Sequence, residues 1–133
     1  MKRLLAGLAV LALTGCSAGT FRVTGTLELN SARAERIWNV DGCPLSSGGY
    51  ADIATGTQVT VYDAGGRVVA VGALKDSAAV GDVDDWTSQC TFAFDVAGVP
   101  EGSAIYSIEV ANRGKASLNR AALRSAVHLR LGS

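Results

Sequence analysis

Phe21-Arg-Val-Thr-Gly-Thr-Leu-Glu-Leu29 alternates without a break: Phe21, Val23, Leu27 and Leu29 fall on one face, Arg22, Thr24, Thr26 and Glu28 on the other. A period of two with one apolar face marks a strand buried on one side. The pattern recurs down the chain. Thr57 to Tyr62 reads as a strand, Asp63-Ala-Gly-Gly66 as a turn with glycines open to positive φ, and Arg67 to Leu74 as the return strand of a β-hairpin. Val59 and Val61 are placed on one face of that hairpin, with Val69, Val71 and Ala73 as the partner face. Phe92, Phe94 and Val96 alternate inward along Thr91 to Val96, and Gly98 to Gly102 reads as a turn. Tyr106, Ile108 and Val110 share a face of the strand from Ile105 to Ala111, and Val127, Leu129 and Leu131 do so in a final strand. Before it, Ser117 is placed as the cap of a short helix over 118–126. Arg120 stands where a capping box would want Glu or Gln. Residues 31–56 read as irregular and 76–88 as a polar, acidic loop. Six or so short strands, turn signals between them and one small C-terminal helix predict an all-β fold, a β-sandwich of six to seven strands.

Upstream of Phe21 the character changes. Met1-Lys2-Arg3 is basic, Leu4 to Leu13 is apolar, and Thr14-Gly15-Cys16 closes the run. These are the parts of a secretory signal peptide, and the run falls short of the roughly 20 apolar residues a bilayer requires. Leu13-Thr14-Gly15-Cys16 resembles the bacterial lipobox. The resemblance implies cleavage before Cys16, a diacylglycerol on its sulfur, and a new amino group open to a further acyl chain such as palmitate. Each buried methylene contributes about 0.8 kcal/mol, and two or more chains anchor stably. The expected organisation is a signal peptide over 1–15, a lipidated tether over 16–20 and a β-sandwich domain over 21–133. The expected location is the extracytoplasmic face of the cell membrane.

The 12 Lys/Arg and 12 Asp/Glu of the whole chain cancel. Without Lys2 and Arg3, ten basic residues face twelve acidic ones, about −2 in side-chain charge. That balance, with no basic patch in view, argues against nucleic acid and against direct binding to anionic lipid. Three cysteines outside the cytoplasm leave an odd one. Assigning Cys16 to lipid leaves Cys43 and Cys90, and an oxidising compartment predicts a disulfide between them. Its loop of about 48 residues would contribute roughly 4 kcal/mol in the chain-entropy picture. With one histidine and no second cysteine near either Cys, metal-ligand spacing is absent.

Several segments carry family likenesses. Gly56-Thr-Gln-Val-Thr-Val-Tyr-Asp63, Gly66-Arg-Val-Val-Ala70, Thr91-Phe-Ala-Phe-Asp-Val96, Val99-Pro100 and Tyr106-Ser-Ile-Glu-Val110 resemble the transthyretin-like or carboxypeptidase-regulatory-like β-sandwich modules of surface proteins. Cys43, Gly48-Gly49-Tyr50, Asp52-Ile53 and Tyr106, Val110, Asn112-Arg113-Gly114 resemble two segments of small actinobacterial lipoproteins. These resemblances imply an Ig-like or transthyretin-like sandwich and an envelope address, and no chemistry.

Residues that could carry chemistry are few. His128 alternates with the inward residues of the last strand, and no Gly-x-Ser-x-Gly elbow accompanies it. Asp82, Asp84 and Asp85 beside Trp86 invite a calcium reading, but EF-hand spacing is absent and no metal site is assigned. Asp52, Asp63, Glu101 and Glu109 are candidates for a carboxylate pair; Asp63 fits its turn and Glu109 an outward strand position. Arg113-Gly114-Lys115, the only basic cluster, reads as a turn with a weak headgroup contact conceivable. Binding residues collect in loops on a rigid scaffold, which puts Tyr50, Asp52, Asp84, Asp85 and Trp86 forward as interaction residues. The expected function is a non-enzymatic, lipid-anchored lipoprotein, without cofactor, that binds a protein or cell-envelope partner through loops 31–56 and 76–89. Two alternatives accompany it: a surface-exclusion or defence lipoprotein of prophage or host origin, and a small envelope enzyme or ligand-binding lipoprotein.

Overall fold

The computed structural model describes residues 19–31, 50–80 and 88–131. Seven strands and one short helix follow in order: β1 Thr20–Ser31, β2 Gln58–Tyr62, β3 Val68–Val80, β4 Ser88–Pro100, β5 Ile105–Val110, β6 Lys115–Asn119, α1 Arg120–Arg124 and β7 Val127–Leu131. They form a single sheet in the order β6-β5-β2-β3-β4-β1-β7. Every neighbouring pair is antiparallel except β1 with β7, which is parallel. The sheet curls around one apolar interior, so the all-β, sandwich-like architecture expected from the alternation is the one present.

The inner face is the predicted one along β1, β4 and β5. Val23, Leu27, Leu29, Phe92, Phe94, Val96, Tyr106, Ile108 and Val110 are all buried. Gly25 shares the inner face with Val23 and Leu27, opposite Phe94 in β4 and Val127 in β7. A Cβ there would lie 2.1 Å from the Val127 carbonyl oxygen and 2.6 Å from Phe94 Cζ, so only glycine lets the three strands close up.

The β2–β3 hairpin forms at the expected turn. Asp63 Oδ1 accepts from the backbone N–H groups of Gly65 and Arg67, each at 2.9 Å, and Gly66 has φ +79°. The face assigned to β3 is the reverse of the one found. Val59 pairs with Gly72 and Val61 with Ala70, so the inward residues of β3 are Ala70, Gly72 and Leu74, while Val71 is 52% exposed. The cause is crowding: a Cβ on Gly72 would sit 2.2 Å from the Asp95 carbonyl oxygen. The interior beneath Gly72 leaves no room for a side chain, and Val68 and Val71 face out, while Val69 is partly buried against the core.

Three further expectations are corrected, two of them at the C-terminal side. Lys115–Asn119 is a strand, paired with β5 from Ile105↔Asn119 to Glu109↔Lys115. Ser117 therefore sits mid-strand, its hydroxyl 3.2 Å from that of Ser107. The helix is Arg120–Arg124, and its cap is Asn119, whose Oδ1 accepts from the Ala122 N–H at 2.8 Å. Leu123 carries α1 into the core. The expected loop from Asp76 is strand as far as Val80, because those residues pair with the equally long β4.

Register fixes two ends of the molecule. At one, Thr20 pairs with Pro100, and the Glu101 N–H donates to the Gly19 carbonyl at 2.9 Å. The hairpin turn at Asp63–Arg67 and α1 lie at this end as well. At the other, Ser31 pairs with Ser88 and Val80 with Gln89. The chain leaving β1 and the connection from β3 to β4 therefore depart from the same end, roughly 35 Å along β1 from Thr20 at strand rise.

Candidate interaction site

Of the sequence-derived candidates, Tyr50 and Asp52 lie within the described residues, and both meet a third residue. Arg113 in the β5–β6 turn donates from Nε to Asp52 Oδ2 at 2.9 Å and from Nη2 to Asp52 Oδ1, a two-pronged pair. Its guanidinium also lies over the Tyr50 ring, 4.9 Å from the centroid. The two side chains of the ion pair are partly open to solvent, 30% exposed for Arg113 and 44% for Asp52. The Arg113 hydrogen bond holds the Asp52 carboxyl below its ordinary value, and the same bond raises Arg113. The segment with Tyr50 and Asp52 and the one with Arg113 thus converge, although 61 residues separate Asp52 from Arg113.

Local geometry explains how Asp52 is presented. The Ile53 N–H donates to the Tyr50 carbonyl at 2.9 Å, and the Thr57 hydroxyl donates to the Asp52 carbonyl at 2.7 Å. The same hydroxyl accepts from the Ala54 N–H at 3.0 Å. Gly56 N–H to Leu74 carbonyl and Leu74 N–H to Thr57 carbonyl, both 2.8 Å, bind the segment to β3. Ile53 is buried in the core beneath these turns. On the other side, Ala111 at φ 50° turns the chain out of β5 and brings Arg113 round to Asp52. Beside this cluster the Tyr62 hydroxyl donates to Glu109 Oε1 at 2.8 Å, which raises the Tyr62 pKa, and Lys115 Nζ stands 3.8 Å from the Tyr62 ring centroid.

The other candidates do not gather here. Cys16, Cys43, Asp84, Asp85 and Trp86 lie outside the described residues. Cys90 is half-buried in β4, paired with Leu29 and Ala79. Each carboxylate of the candidate pairs has a different partner: Asp63 its own turn and Arg67, Glu109 the Tyr62 hydroxyl, Glu101 both Arg120 and Arg124. His128 is exposed, with Nδ1 2.9 Å from the Thr26 hydroxyl. Among the described residues no three His, Cys, Asp or Glu side chains gather as metal ligands, and no helix is long and apolar enough to cross a membrane.

Sequence reasoning missed two charged groupings. Asp95, on the outer face of β4, accepts from Arg22 at 2.5 Å and Lys75 at 3.4 Å, joining β1, β4 and β3. Burial raises its pKa, and the two cations more than reverse that, so the net shift is downward. The second is the Glu101–Arg120–Arg124 set beside Gly19. Neither has a sequence signature, since strand register alone brings its members together. The Arg113-Gly114-Lys115 cluster belongs instead to the side of the molecule away from Thr20. No protein-family model, curated protein or solved structure matches the chain.

Proposed function

We propose that this chain is a lipid-anchored, extracytoplasmic β-sandwich protein that works by binding a protein or cell-envelope partner rather than by catalysis. The observation that carries the reading is topological. The described strand ends that bound the expected binding segments, Ser31 of β1, Val80 of β3 and Ser88 of β4, lie at the end of the sheet away from Thr20, whereas the lipobox-like Cys16 lies four residues before Thr20. An anchor at Cys16 would leave those segments facing outward from the membrane, where a partner can reach them. Cys43 and Cys90 form the accompanying disulfide in this reading. The Cys90 sulfur is not a free thiol, which supports that pairing.

Two measurements on intact cells test the proposal. Cys16→Ala moves the protein out of the membrane fraction, and retention of that variant in the membrane overturns the anchor. A photo-crosslinking side chain at Asp52 or Asp84 yields one defined adduct that the same side chain at Arg67 does not. Equal adducts from all three positions, or none, overturn binding through these segments.

A further inference from the structure

We infer that the end of the sheet bearing Gly19 is itself a bilayer-docking surface, which stands the domain upright with its strands running away from the membrane. The inference rests on the lipid anchor at Cys16 proposed above and adds a second, protein-made contact to it.

The tether is short. Gly19 is the third residue after Cys16, and its carbonyl is already held by the Glu101 N–H at 2.9 Å. Fully extended, that stretch spans about 11 Å, so a lipidated Cys16 keeps this end within roughly one headgroup layer of the bilayer. The opposite end stands roughly 35 Å further out if the strands rise from the membrane.

The surface at this end has the composition such a position demands. Val68, 57% exposed, begins β3, and Ile105, 53% exposed, begins β5; Tyr62 of β2 runs between them, paired to Val68 and Ser107. The Arg120 N–H donates to the Ala104 carbonyl, so α1 starts directly beside Ile105. Around these apolar side chains stand the arginines of the same end: Arg67 is 85% exposed, Arg124 50% and Arg120 41%. Against them this end has Asp63, closed into its own turn, and Glu101, shared between two arginines.

Charge is therefore segregated along the strands. The mature chain carries about −2, yet these three arginines outnumber the two carboxylates beside them. Asp76 lies further along β3, away from this end. Bulk charge argued against contact with anionic lipid. The fold relaxes that argument for one end, where a surface potential acting within a Debye length of about 10 Å meets three arginines against two carboxylates.

The test uses the full mature lipoprotein purified from membranes and reconstituted into phosphatidylcholine vesicles with and without phosphatidylglycerol. A fluorophore placed at Ala104→Cys reports the near end, and one at Thr55→Cys the level of Gly25, about halfway up β1, with a nitroxide-labelled lipid as quencher. Ala104 is expected to be quenched several-fold more than Thr55, and more strongly with phosphatidylglycerol present. Paired Val68→Asp and Ile105→Asp substitutions, both at exposed positions, are expected to abolish the difference while the protein stays vesicle-bound. Equal quenching at both sites, or none at Ala104 in vesicle-bound protein, overturns the docking surface and leaves the anchor standing. Protein that does not co-float with vesicles overturns the anchor and the docking surface together.

Discussion

Gly25→Ala is the substitution that most directly tests the way this sheet is closed. In an ordinary strand interior the change stabilises, by about 0.5–1 kcal/mol, because alanine has less backbone freedom to lose. Here the sign reverses. The added Cβ would lie 2.1 Å from the Val127 carbonyl oxygen, 2.6 Å from Phe94 Cζ and 2.9 Å from the Val127 carbonyl carbon. The ring can swing aside; the carbonyl belongs to the backbone of β7, in ladder register with β1 from Val127 to Leu131. Restoring ordinary contact requires β7 to retreat by roughly 1 Å, which loosens Val127, Leu129 and Leu131 from the core they pack against. Overpacking of this kind costs about 1–3 kcal/mol, and the upper part of that range applies because backbone must move. Offsetting the gain in chain entropy leaves a destabilisation of about 2 kcal/mol, or about a 10 °C fall in Tm for a domain of this size. Thermal and urea unfolding followed by circular dichroism measure it, with Thr24→Ala on the exposed face of the same strand as control. A Gly25→Ala protein as stable as the parent, or more so, refutes the close approach of β1, β4 and β7 on which the curled sheet depends.

Three other expectations follow from particular contacts. Tyr106 is 1% exposed and its hydroxyl donates to the Pro100 carbonyl at 2.7 Å while accepting from the Ser103 N–H at 3.2 Å, so Tyr106→Phe should cost about 1–2 kcal/mol in urea unfolding; no change in midpoint would mean the hydroxyl does not hold that turn. Asp52 is held below its ordinary value chiefly by the Arg113 hydrogen bond, so its contribution is intact at neutrality and is lost as pH falls below about 4, through the folded-state value. The Asp52 carboxyl carbon followed by NMR should titrate below the usual range and return to it in Arg113→Ala; identical titrations would separate the two residues. In the mature protein a thiol reagent should find Cys43 and Cys90 unreactive until a reductant is added, and two reactive thiols under native, non-reducing conditions would end the disulfide reading.

The strands that sequence made legible are those whose alternation coincides with burial. β1, β4 and β5 put large apolar residues at every second position because the interior beneath them is wide, as Phe92, Phe94 and Tyr106 show. β3 misled for the converse reason. Its valines are the strongest β-formers in the hairpin, yet the inner face at Gly72 abuts the β4 backbone, and only Ala70 and Gly72 fit there. A reading that places the bulkier residue inward fails where two strands approach closely. β6 was hidden because Lys115-Ala-Ser-Leu-Asn119 has no β-branched residue and an exposed outer face; its pairing with β5, a tertiary effect, makes it a strand. The same holds for the far halves of β3 and β4. At the site, Tyr50 and Asp52 were visible as a motif and Arg113 as another, but their meeting depends on β5 lying next to β2 in the sheet, which alternation cannot specify.

That meeting bears on how any partner would be held. Asp52 is engaged through both carboxylate oxygens by Arg113, and Tyr50 presents its ring to the same guanidinium. These contacts hold both side chains in place, so the latch fixes the position of the segment that a partner would meet. The segment is otherwise fixed at Ser31, in the ladder with Ser88, and from Gly56 onward by hydrogen bonds to β3. The Asp52–Arg113 latch ties Tyr50 and Asp52 to the β5–β6 turn before any partner arrives. Ordering is among the main costs of association, so a latch closed beforehand can raise affinity. Opening it by Arg113→Ala should therefore weaken a partner complex formed through this segment.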